Sequence, residues 1–152
     1  MSIATRLEEL GIELPAVAAP VAAYVPAVVH GDLVYTSGQL PFVGGALPET
    51  GKVGAEVDPD AAKGYARTCA LNALAAAADA AGGVDRIAGV LRVGGFVASD
   101  PAFTGQPGVV NGASEVLGEI FGDAGRHARA AVGVAVLPLD TPVEVEVTFI
   151  IA

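Results

Sequence analysis

The chain of 152 residues has one cysteine, Cys69, so no disulfide can form within it, and a reducing compartment suits it. Charge is scarce as well: only 16% of residues are Asp, Glu, Lys or Arg, and eight basic against seventeen acidic residues leave a formal net charge of −9. Phosphate backbones are bound by clusters of lysine and arginine, which eight scattered basic residues do not supply, so nucleic acid is not expected as a partner. The longest uncharged run, Leu14 to Val29, is broken by Pro15, Pro20 and Pro26. It is shorter than the ~20 residues a bilayer requires, and its prolines forbid a continuous helix, which excludes a membrane span. The N-terminus shows no basic segment leading into an apolar core with a small-residue cleavage site, so a cytoplasmic protein is expected. A phosphate loop is missing too. At Gly51-Lys52 the first glycine of the motif would fall on Ala46, and Val53 stands where a hydroxyl residue belongs.

What is present is apolar. At 53% hydrophobic residues the chain exceeds what a small monomer needs, and its length suits one domain over residues 1–152, so part of the apolar surface is expected to meet another subunit. Ser2 caps a short helix running to about Leu10 and ended by Gly11. With the Pro-rich run after it, read as extended packing across the surface, this makes an N-terminal extension of about residues 1–23. Two β-branched runs around His30-Gly31-Asp32 predict a hairpin, and the Gly-rich stretch 42–56 a loop.

Asp58-Pro59 opens a long helix that stops at Gly82-Gly83, alanine-rich enough to lie against a sheet, with Cys69 as core filler rather than nucleophile. Ile87 to Ala98 is a strand apolar enough for burial on both faces. A second helix, about Val109 to Phe121, turns Val110, Val116, Leu117 and Ile120 inward and Glu115 and Glu119 outward. Two further strands carry Arg129 and the run Val143-Glu144-Val145-Glu146-Val147. The order ββαβαββ predicts an α+β domain with both helices on one sheet face; the other face then needs cover.

Several segments stand out together: Tyr24, then Tyr35-Thr36-Ser37-Gly38-Gln39-Leu40-Pro41, Asn111, and Arg129 followed by Val-x-Val-x-x-Leu-Pro and Val-Glu-Val-Glu. In combination and in this order they resemble the RidA family, also called the YjgF or L-PSP family of enamine/imine deaminases. The resemblance implies a chorismate-mutase-like fold and a homotrimer with sites in the clefts between subunits, working without metal or organic cofactor. It also implies that Arg129 holds the carboxylate of a small metabolite, that Glu144 places water or protons, and that Tyr24, Ser37 and Asn111 line the pocket. Two positions depart from the common pattern. Ser114 replaces an aromatic residue, making the pocket roomier or more polar, and Ala131 replaces a cysteine, so thiol chemistry is not expected there.

The chemistry is consistent with those residue types. A 2-imino or 2-enamino acid offers a planar carboxylate that a guanidinium fork matches, and its hydrolysis needs only a positioned proton and water. If the last two strands form a hairpin turning at Pro138 to Thr141, Glu144 faces Ala135 and Arg129 faces Ile150. The two charges would then stand about 20 Å apart within one chain. A single site would need Arg129 from one subunit and Glu144, or less favourably Glu146, from its neighbour. Two other readings stand beside the deaminase: a trimer that binds carboxylate metabolites without turnover, and an endoribonuclease. The second would want a histidine acid/base pair and a basic groove, whereas His30 lies in a turn and His127 beside Arg126 and Arg129, each read as an ordinary polar residue.

Overall fold

The computed structural model describes residues 1–17 and 23–152. Pro20 and the middle of the Pro-rich run therefore lie outside the described residues. Among the described residues three α-helices and five strands follow in the order α1 (Ile3–Leu10), β1 (Ala27–His30), β2 (Leu33–Thr36), α2 (Pro59–Ala81), β3 (Ile87–Ala98), α3 (Gln106–Phe121), β4 (Ala128–Val134) and β5 (Val143–Ile151). The strands form one sheet in the order β1-β2-β5-β3-β4. All neighbours are antiparallel except β3 and β4, which run parallel with α3 as their crossover.

Local chemistry accounts for the element ends. The Ser2 side chain accepts from the Thr5 amide, and Gly11 closes α1 in the left-handed conformation. The Asp58 side chain accepts from the Asp60 amide with proline next in the chain, and Gly82, also left-handed, stops α2. Helix α3 starts at Gln106, earlier than the apolar periodicity indicates, because Pro107 fits a helix's first turn, where its missing N–H costs no bond.

The core lies between the sheet and the two long helices. Phe149, Leu74, Val93, Val97, Val116 and Val145 are fully buried there, each side chain worth roughly 1.5–3 kcal/mol of hydrophobic stabilisation. Cys69 belongs to this core, and burial pushes its thiol well up. Helices α2 and α3 cross where Gly112 lies against the Lys63 carbonyl, a contact that leaves no room for a Cβ. Pairs of opposite charge, Lys63 with Glu115 at 3.1 Å and Arg67 with Glu119 at 3.5 Å, bridge the outer side of the crossing. Helix α1 docks on the same body: Leu7 is buried, and the Arg6 Nε donates to the Glu119 carbonyl at 2.9 Å.

Two expectations are corrected. Strand β3 is not buried on both faces, since Leu91 is 46% exposed and Arg92 stands on the open side. More consequentially, β4 and β5 do not pair. Strand β3 lies between them, with Arg129 beside Val93, Val93 beside Val147, and Phe96 beside Glu144. Sequential strands separated by a turn usually pair, but β3, twelve residues long and largely apolar, takes a partner on each edge. The connection 135–142 must then pass the end of β3, and it does so through Leu139 and Asp140, consecutive non-glycine residues at φ 58° and 57°. Lys52 and the Gly51 amide tie this turn down by bonding the Asp140 side chain and carbonyl.

Candidate functional site

Alternation along β5 sends Val143, Val145, Val147 and Phe149 under the helices and Glu144, Glu146, Thr148 and Ile150 to the open face. Arg129 is level with Val93 and Val147, both covered, so it belongs to the helix side. Its Nη1 donates to the Ser114 Oγ at 3.1 Å and its Nη2 to the Pro107 carbonyl at 3.2 Å, both on α3. Glu144 lies three residues further along and two strands away, on the opposite face. Strand spacings put the two Cα atoms about 14 Å apart, not the 20 Å of a hairpin.

The six sequence-derived site residues therefore fall into two groups within one chain. Arg129, Ser114 and Asn111 sit together at the outer edge of the sheet, Asn111 one helical turn before Ser114 on α3. Tyr24, Ser37 and Glu144 gather at the open face. There the Ser37 hydroxyl donates to the Val25 carbonyl at 2.7 Å, next to the exposed Tyr24. The Glu144 carboxylate lies directly over Gly38, where any side chain would collide with it. That contact gives a physical reason for glycine in Ser37-Gly38-Gln39, whose backbone bridges to Val145 through Gln39.

Electrostatics differ between the groups. Desolvation by burial, and then repulsion from Glu146, raise the Glu144 carboxyl above its ordinary value. Glu146 itself leans toward Arg92 at 4.0 Å. Arg129 has only neutral acceptors, and among the described residues no carboxylate comes within ion-pair distance of it. A guanidinium offers five N–H donors, so those not bonded to Ser114 and Pro107 remain for an anion.

One participant was not singled out from the sequence. His127 Nε2 lies 2.8 Å from the same Ser114 Oγ, and its Nδ1 lies 2.6 Å from the Gly125 carbonyl. The readable sign was the spacing: His127 lies two residues before Arg129 and directly ahead of β4, so the strand's alternation, carried back by one residue, puts the two on one face.

Comparison with known proteins agrees with this architecture. Residues 4–149 match the family model described as "YjgF/chorismate mutase-like, putative endoribonuclease". A Trypanosoma cruzi protein, TCP17, is 45% identical over 147 residues, covering 95% of this chain and 91% of the relative. The structure of Atu1372 from Agrobacterium tumefaciens, a protein of unknown function, superposes with a TM-score of 0.90 at 46% identity, covering 99% of this chain and 92% of that one. The E. coli YjgF gene product gives a TM-score of 0.62 at 26% identity, covering 90% and 98%. The chain belongs to the YjgF/chorismate mutase-like family, and its α+β fold with helices packed on one sheet is that family's fold.

Proposed function

We propose that the protein hydrolyses 2-enamino and 2-imino acids to 2-keto acids and ammonia. The site would lie between subunits of a homotrimer, each acting as one domain. Arg129 of one subunit binds the substrate carboxylate, and Glu144 of a neighbour places protons and water. The observation that carries this reading is the Arg129 guanidinium, steadied by two neutral acceptors and facing no carboxylate among the described residues. A guanidinium held in this way can receive a carboxylate through its remaining N–H donors.

The separation of the two residue groups supports the inter-subunit arrangement, because one chain turns Arg129 and Glu144 to opposite faces. In the reaction, a protonated carboxyl delivers a proton to the enamine carbon, giving an iminium. Water then adds to the iminium carbon as the carboxylate takes its proton, and ammonia leaves from the resulting carbinolamine. A carboxyl raised by burial suits the donor role. Asn111 and Ser114 at one wall, and Tyr24 and Ser37 at the other, would line the cleft.

The test follows imine decay from several amino acids, with the imines made in situ by an amino-acid oxidase. Wild type is expected to accelerate decay and Arg129→Ala to lose about a hundredfold in kcat/KM. Equal rates for the two, or no acceleration by either, would favour the second reading, a trimer that captures carboxylate metabolites through the same arginine without turnover. The endoribonuclease label carried by the family description is opposed here by the net charge of −9.

A further inference from the structure

The bonds around Ser114 have a forced direction. A main-chain carbonyl only accepts, so His127 Nδ1 must carry a proton to meet the Gly125 oxygen at 2.6 Å. In the neutral ring Nε2 is then an acceptor, and the Ser114 hydroxyl at 2.8 Å donates to it. With its proton so committed, the Ser114 oxygen turns lone pairs outward, and Arg129 Nη1 donates into one of them at 3.1 Å. The chain runs Arg129 to Ser114 to His127 to Gly125, every donor matched to an acceptor. Its far end is fixed, because Gly125 is buried against α3, so close to the Leu117 carbonyl that a Cβ would stand 2.7 Å from it. The near end is fixed as well, by Arg129 Nη2 on the Pro107 carbonyl at 3.2 Å.

We propose that His127 is a positioning residue for Arg129, acting through Ser114 to hold the guanidinium in the orientation that receives a substrate carboxylate. The inference rests on the reading of Arg129 as the carboxylate ligand. Its energetic logic is preorganisation: a free arginine loses considerable rotamer freedom on binding, whereas one already held at two points loses less. Substitution of His127 should therefore weaken binding and leave the chemical step nearly intact.

The experiment combines NMR with kinetics on the full-length protein. Long-range histidine 15N correlation spectra should show neutral His127 as the Nδ1–H tautomer, and a single ordered Arg129 Nε–H resonance that broadens or averages in His127→Leu. In kinetics, His127→Leu should raise KM about tenfold, the effect of one ordinary hydrogen bond, with kcat within about twofold. His127→Gln, whose amide oxygen can still accept from Ser114, should recover most of that loss. Pyruvate titration should reproduce the order wild type, Gln, Leu in affinity. If His127→Leu does not fold, Ser114→Ala breaks the same chain at its middle and is expected to raise KM alike. An Nε2–H tautomer, or equal Arg129 order and equal pyruvate affinity in wild type and variant, would overturn the inference. Should Arg129→Ala turn over imines as well as wild type, the deaminase reading fails instead, and the tautomer and pyruvate measurements still decide the role of His127.

Discussion

Strand β5 serves two environments at once. Its odd-numbered residues from Val143 to Phe149 are buried under the helices, while Glu144 and Glu146 share the open face with Tyr35, Val28 and Val132, which are 48%, 52% and 43% exposed. The covered face holds the fold together. The open face holds a carboxyl whose pKa is raised by partial burial, among apolar side chains that lack cover in a single chain. Arg129 breaks this division, being a charge on the covered side. It is tolerated because β4 is the last strand of the sheet, where α3 supplies a hydroxyl and a carbonyl to the guanidinium while its remaining donors stay reachable.

That division can be broken by substitution. On the covered side Phe149, whose ring centroid lies 6.3 Å from that of Phe121, is the strongest case: Phe149→Ala should cost about 3–5 kcal/mol in urea unfolding at fixed protein concentration. On the open side Gly38→Ala tests function instead of stability. The added methyl meets the end of a flexible side chain, so unfolding should shift by less than about 1 kcal/mol. The displaced Glu144 carboxyl should nevertheless lower kcat for imine hydrolysis about tenfold; unchanged turnover would separate Glu144 from the chemistry.

A pH profile sharpens the same contrast. Glu144 binds its proton more tightly folded than unfolded, because burial and then Glu146 disfavour its charge. Its contribution to stability is therefore complete below the ordinary value of 4.5 and declines as pH rises from there through the raised folded value. Glu144→Gln should flatten that decline in urea midpoints taken from pH 4 upward, and Glu146→Gln should shift it to lower pH. The smallest effect belongs to the outer helix surface: Glu119→Gln removes an exposed pair with Arg67 and should change stability by no more than about 0.5 kcal/mol.

Much of this architecture was legible in the sequence, for reasons that are local. Ser2, Gly11, Asp58, Pro59 and Gly82 act within one helical turn of themselves, and the helix ends fall where those residues place them. The alternation of valine and glutamate in β5 states directly which side faces the core. Strand pairing is not local. Nothing within 128–151 announces that β3 separates the two strands, since β3 owes both its partners to length and apolarity rather than to any turn. The conclusion that one chain cannot bring Arg129 and Glu144 together survives on different grounds, opposite faces in place of distance along a hairpin. The Ser114–His127 contact was hidden for a related reason: the partners are thirteen positions apart, one on α3 and the other just ahead of β4.

The placement of β5 also bears on how the molecule folds. Leu33 pairs with Ile150 and Val34 with Phe149, so the middle of the sheet joins segments more than a hundred residues apart. Closing such a loop is entropically costly before any contact repays it. The β1–β2 hairpin has no other strand to rest on until β5 arrives, and until then β2 presents an open edge to solvent. Folding should consequently be slow and highly cooperative for a chain this small, with the helices and the parallel β3–α3–β4 unit forming ahead of the strand that locks both halves together.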